Sequence, residues 1–237
     1  LDMTAAVRYG EDYDNAGDDF WHEAAVVGWR PQLVTSSSPR SLLDYAASLN
    51  VREHEDGEHF HYRTVLTNVL GMVVERVAEQ PLQTLLQNRL WQPMGPEQDA
   101  TVVVDPTGFP YMGAGMSACA RDLARFGELL RNDGFYNDLQ IIPAAWVRQT
   151  RSGSDQLRHL FAHSDYAGMI RGGHYHNQTW ADASAGVLLC VGIHGQTIHV
   201  NKNSGVVIVK LSSHPDPADL GLFGETWRAL GALTEAL

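Results

Sequence analysis

Apolar positions recur at helical spacing through the first two thirds of the chain, and run together or alternate with polar ones towards its end. After a polar, aromatic opening, "DFWHEAAVVGW" predicts a short helix starting at Asp18 and Asp19. "SLLDYAASL" predicts a second, amphipathic helix after the Ser/Pro-rich loop "VTSSSPRS", with Ser38 as its cap and Pro39 at its first position. From Thr67, "TNVLGMVVERVAEQPLQTLLQNRLWQPMG" predicts two helices broken at Pro81 and ended by Pro93 and Gly95. The first should bury Val69, Leu70, Val73, Val74 and Val77, and the second Leu85, Leu86 and Leu90. "GAGMSACARDLARFGELLRNDG" predicts a helix capped by Ser117, with Leu123, Phe126, Leu129 and Leu130 inward and Gly134 at its exit; another helix starts at Pro143. Near Arg171 the pattern changes. "ASAGVLLCVGIHG", "QTIHVNKN" and "SGVVIVKLSS" predict three strands of an antiparallel meander, closed by a helix over "PADLGLFGETWRALGALTEAL". The chain therefore reads as α+β, mostly helical over 1–170 and strands plus a closing helix over 171–237.

Composition narrows the classes. With 44% hydrophobic residues, a chain of 237 can bury a sizeable core in one large domain or two small ones. Its 17 basic and 28 acidic residues give a formal charge of -11 with no basic stripe, which argues against nucleic acid as a partner. No apolar run approaches the length of a membrane span, no signal-like segment opens the chain, and no membrane partner is expected. Cys119 and Cys190 are too few for a disulfide framework and fit a reducing, cytoplasmic compartment.

The densest chemistry lies at 52–63, "REHEDGEHFHYR". His54 and His59 are five residues apart with Gly57 between them, which misses both the H-E-x-x-H spacing and its inverted form, and no further ligand follows His61 at metal spacing. No metal is expected, and the stretch reads as a polar loop whose notable residue is Tyr62. There is no G-x-S-x-G, "GMSAC" around Ser117 being the nearest approach, and no nucleotide-binding glycine pattern after a strand. Polar and aromatic residues stand at the joins between elements: Tyr13, Tyr62, Trp180, and the glycines Gly192 and Gly195 of "GIHG". Glycines on a strand let a ligand approach the backbone, whose N–H groups can hold an oxyanion; a tight bend in an edge strand is the other reading.

Several stretches in order, "LDMTAAVRYGEDYDN", "GWRP", "FHYRTVLTNVLGMVVERV", "LWQPMGPEQDATVVVDPTGF", "ARDLARFGELL", "GIHGQ" and "VIVKLSSHPDP", together resemble the serine hydrolases related to class C β-lactamases and penicillin-binding proteins, within them the branch of 6-aminohexanoate-oligomer amidases and esterases. The resemblance implies a β-lactamase-like fold and hydrolysis of a small amide or ester through an acyl-enzyme, without metal or organic cofactor. It implies that Tyr62 stands for the tyrosine of Y-x-N that relays protons beside the nucleophile, a role that needs a nearby cation because tyrosine titrates near ~10 in water. Thr64 replaces the asparagine of that motif. Tyr13 matches a tyrosine that closes over the substrate, Trp180 a pocket-wall tryptophan, and Ile193 the residue whose N–H is an oxyanion donor. Gly192 and His194 would flank the substrate beside it. Cys190 stands where K-T-G has its lysine, which argues against penicillin recognition. The family attacks with the serine of S-x-x-K, and neither Lys202 nor Lys210 has a serine three residues before it. The expectation is that this segment lies upstream of Leu1, that the chain alone is inactive, and that exposed apolar helix faces favour association such as a homodimer. A non-catalytic binding module on the same fold is the alternative.

Overall fold

The computed structural model describes residues 1–31, 35 and 38–236, in two compact units. The first comprises Leu1, Met3–Leu86 and Ala100–Ser117, and the second Asp2, Gln87–Asp99 and Ala118–Leu237. The 170/171 division marks where helix-rich sequence gives way to strand-rich sequence. It does not coincide with these units, because helices before residue 170 pack on the later strands.

The first unit holds α1 (Asp19–Val26), α2 (Leu42–Ser48), α3 (Thr64–Ala78), α4 (Leu82–Leu86) and a small ladder of β1 (Thr101–Val102) with β2 (Met116–Ser117). Asp18 caps α1 as expected. The cap of α2 is Ser41, whose hydroxyl accepts from Asp44 N, and not Ser38; residues 34, 36 and 37 of the loop before it lie outside the described residues. In α3 the predicted face is the wrong one. Val69, Val73, Val74 and Val77 are exposed, whereas Thr64, Val65, Asn68 and Gly71 are buried. Polar satisfaction selects that face: Asn68 donates to Glu23 and accepts from Met112 N and Gly113 N, partners that it meets only inside. Gly71 lets Met112, Leu82 and Phe109 close in on the helix, where a Cβ would stand 2.8 Å from Met112 Cγ. The break at Pro81 holds, but α4 is a single turn burying Leu82, and Leu86 is exposed.

The second unit begins with a π-helical turn (Gln87–Trp91) and a 3-10 turn (Gln92–Met94) that ends on Gly95. It continues through α5 (Ala120–Arg131), the hairpin β3 (Phe135–Tyr136) and β4 (Leu139–Gln140), α6 (Ala144–Ser152) and α7 (Asp155–Ala162). The sheet follows, β5 (His174–His176), β6 (Thr179–Asp182), β7 (Val187–Gly192), β8 (Gln196–Asn201) and β9 (Val206–Lys210), and then α8 (Leu220–Ala236). Ser117 does not cap α5: it pairs with Thr101 in β2, and Cys119 is the N-cap.

All five strands are antiparallel in the order β5-β6-β7-β8-β9, so the predicted three-strand meander gains a hairpin at its edge. That hairpin turns on Asn177 and Gln178, both at positive φ, the backbone required by a tight two-residue turn. Leu130, Val147, Ala181, Leu188 and Val200 form a buried core, with Phe126, Ile198 and Val207 packed against it. On the opposite side of β8, His199 meets Thr234 of α8. Gly127 is where α5 touches the sheet: a Cβ there would lie 2.5 Å from Val207 Cγ1. Gly127→Ala should therefore cost about 1–2 kcal/mol, overpacking outweighing alanine's better helix propensity; a thermal midpoint at or above that of the parent chain would refute this contact.

Candidate active site

The two tyrosines expected to matter both lie in the first unit. Tyr62 ends the 52–62 loop just before α3, and Tyr13 sits on the loop before α1. The residue linking their surroundings is Glu11. Its Oε1 accepts from the Tyr13 hydroxyl at 2.8 Å and from the Thr64 hydroxyl, and its Oε2 accepts from Thr64 N at 2.9 Å. Arg63 at the N-cap of α3 supplies no capping bond, so this carboxyl from 53 residues away serves the helix start, where the macrodipole favours negative charge.

Behind it lies a second carboxyl. Glu23 is fully buried and accepts from the Tyr9 hydroxyl and Asn68 Nδ2. Burial pushes the Glu23 carboxyl up to about 8 and the Glu11 carboxyl up to about 7, against the lowering effect of the hydrogen bonds each accepts. The same burial, helped by Glu23, Glu11, Tyr62 and Tyr45, pushes the phenol of Tyr111 well up. Arg63, the buried cation next to Tyr62 in sequence, donates to His61 O and pairs with Glu53 at 3.3 Å.

Trp180, Gly192, Ile193 and His194 lie in the second unit. Trp180 on β6 is buried among Phe161, Tyr166 and Tyr175, with ring centroids at 6.0, 5.5 and 5.0 Å. β7 ends at Gly192, and Ile193–Gly195 form a 3-10 turn into β8. His194 takes a left-handed conformation (φ 58°), uncommon for a non-glycine residue. The segment after β9 holds it there. His194 N donates to Pro217 O, His214 N donates to His194 O, and the His194 ring Nδ1 lies 2.8 Å from His214 O. Gly195, at φ 85°, is pressed against the His214 ring, leaving no room for a Cβ.

Lys210 Nζ lies 3.1 Å from Gly195 O and 3.0 Å from His214 Nε2. A cation therefore stands at this turn although Cys190 replaces the motif lysine, because the β8–β9 register sets Lys210 opposite Thr197. Burial pushes the Cys190 thiol up to about 11, so it is no thiolate nucleophile at neutral pH.

The histidine-rich stretch is a loop in which Arg52 pairs with Glu55 and Asp56 and the His54 and His59 rings meet edge to face. Among the described residues, no three His, Cys, Asp or Glu side chains gather as a metal would need, and no helix is long and apolar enough to cross a membrane. Sequence reading missed Glu11, Glu23, Asn68 and Lys210. Glu11 lay within the quoted "YGEDYD", but its partner Thr64 is distant in sequence, and no local spacing signals that pairing.

Comparison with known proteins agrees with this architecture. The Beta-lactamase family matches residues 1–233. The 6-aminohexanoate-dimer hydrolase of Paenarthrobacter ureafaciens is 31% identical over 218 residues, covering 92% of this chain and 54% of its own length. The chain thus spans about half of that relative. A Bacillus anthracis structure assigned as a 6-aminohexanoate-dimer hydrolase superposes with a TM-score of 0.83 at 25% identity, over 99% of this chain and 60% of that one. A penicillin-binding protein from Bacillus halodurans shares the fold, with a TM-score of 0.62 at 15% identity over 97% of this chain and 70% of that one. Helices with an antiparallel sheet, in the arrangement of these structures and under a family match that runs almost end to end, assign the chain: it belongs to the Beta-lactamase family.

Proposed function

We propose that the chain carries the proton-relay and oxyanion-turn parts of a serine hydrolase that cleaves amide or ester bonds through an acyl-enzyme. The observation that carries this reading is the 31% identity to a 6-aminohexanoate-dimer hydrolase over 92% of the chain. In a protein of the relative's length, a serine of S-x-x-K attacks the carbonyl carbon and its proton passes towards Tyr62. The tetrahedral oxyanion is held by Ile193 N–H. Tyr62 then gives a proton to the leaving amine or alcohol as the C–N or C–O bond breaks, and water hydrolyses the acyl-enzyme. The S-x-x-K lysine supplies the cation that phenolate chemistry requires. Tyr13, Trp180, Gly192 and His194 shape the substrate side. No metal or organic cofactor enters the scheme.

The test assays a protein of the relative's length on 6-aminohexanoate dimer and on short aryl esters, alone and as Tyr62→Phe. Loss of a proton relay is expected to lower kcat by about 10²- to 10⁴-fold. Hydrolysis unchanged in Tyr62→Phe would remove Tyr62 from the scheme. A second reading, a binding module on the same fold, predicts ligand retention with no turnover even at the relative's length.

A further inference from the structure

We infer that Glu11 is a positioning residue that couples Tyr13 to the start of the helix behind Tyr62. One carboxylate holds three donors from two segments of the first unit: the Tyr13 hydroxyl at 2.8 Å, the Thr64 hydroxyl, and the Thr64 backbone N–H at 2.9 Å. Thr64 opens α3, and Tyr62 stands two residues before it, so the backbone that aims Tyr62 is pinned where Glu11 grips it.

The loop carrying Tyr13 is held at further points. Trp21 Nε1 donates to Tyr13 O at 3.0 Å, and Gly10 N donates to Asp19 Oδ2 at 2.9 Å. With this loop braced on α1, movement of Glu11 is passed to Tyr13 and to α3 together. Burial opposes the charge of Glu11, and the three hydrogen bonds it accepts offset that cost only in part. Asparagine or serine at this position would serve as a cap but is too short to reach both Thr64 and Tyr13. Glu11 touches neither substrate nor nucleophile in this scheme. It acts through the two tyrosines.

The catalytic part of the inference rests on the function proposed above, and the geometric part does not. The experiment separates them. The chain is prepared with an isotope label at tyrosine Cζ, and the Tyr13 and Tyr62 resonances are assigned through Tyr13→Phe and Tyr62→Phe. Glu11→Ala and Glu11→Gln should each shift both resonances while leaving Tyr175, in the second unit, in place. In a protein of the relative's length, Glu11→Ala should lower kcat by about 10- to 100-fold with KM changed less than about threefold, as expected for misplaced groups that remain present. Glu11→Gln, which keeps one acceptor oxygen, should fall between the parent and Glu11→Ala. A Tyr62 resonance unmoved in Glu11→Ala overturns the coupling, and so does a kcat within twofold of the parent's. If the parent protein hydrolyses nothing, the proposed function fails, and the two tyrosine resonances still decide whether Glu11 couples them.

Discussion

Asp122→Ala should destabilise the chain by about 3–5 kcal/mol, the cost of removing one partner from a buried charged cluster. Asp122 is fully buried at the third position after the N-cap of α5. Its carboxylate accepts from Glu97 N at 2.8 Å, Gln98 N at 3.1 Å, Cys119 Sγ at 3.0 Å and Arg125 Nη1 at 2.9 Å. Burial opposes the charge. The Cys119 thiol, the two backbone N–H groups and the Arg125 guanidinium outweigh it and hold the carboxyl below the ordinary range. Alanine would leave two inward N–H groups and the Arg125 charge without this acceptor, although Arg125 keeps Glu97 at 2.7 Å.

Because the folded value is depressed, the contribution is present above the ordinary aspartate value and is lost as pH falls through the folded one. Urea unfolding at neutral pH gives the magnitude, and a loss below about 1 kcal/mol would mean the cluster reorganises around the gap. Asp122→Asn, which retains an acceptor but turns an NH₂ on other donors, should fall between.

The second large effect is an alkaline loss of stability that Glu23→Gln removes. The Glu23 carboxyl, pushed up by burial to about 8, and that of Glu11, pushed up to about 7, both start from an ordinary value of 4.5. The folded chain therefore keeps protons that the unfolded chain gives up between these values. Stability from this source is complete below pH 4.5 and is lost as pH rises through 7 and 8. For Glu23 the loss amounts to at most ~5 kcal/mol, a pH unit of separation being worth about 1.4 kcal/mol.

His174 and His199, pushed down by burial, act in the opposite sense around their ordinary value of 6.5, so the profile of the parent chain alone is ambiguous. The difference between parent and Glu23→Gln isolates the carboxyl. Urea midpoints from pH 5 to 9 should show the parent losing stability relative to the variant as pH rises. A constant difference across that range would mean that Glu23 ionises in the folded chain at an ordinary carboxylate value.

Much of the local punctuation was read correctly from residues, although the caps expected at Ser38 and Ser117 fall instead at Ser41 and Cys119. The helix punctuation at Asp18, Pro81, Gly134 and Pro143 depends on neighbours a few positions away, and so do the glycine-bounded strands from 187 to 210. Local pattern failed at α3, where valine-rich spacing pointed to one face and the partners of Asn68 and Gly71 selected another. It failed again at the Asn177–Gln178 hairpin, whose turn lacks the glycine that usually announces one. The family likeness rested on ordered motifs spread along the chain, and so it survived these local errors.

Composition and spacing pointed to Tyr13, Tyr62, Trp180 and the "GIHG" turn as candidates at joins between elements; the structure puts Tyr13, Tyr62 and the turn at such joins and Trp180 within β6. The groups that surround them were not legible. Glu11 meets Thr64 across 53 residues, Glu23 meets Asn68 across 45, and Lys210 reaches Gly195 from the neighbouring strand. Which carboxyl is stripped of water, and which donors repay it, follows from how distant segments pack, because desolvation and hydrogen bonding act through space and not along the chain.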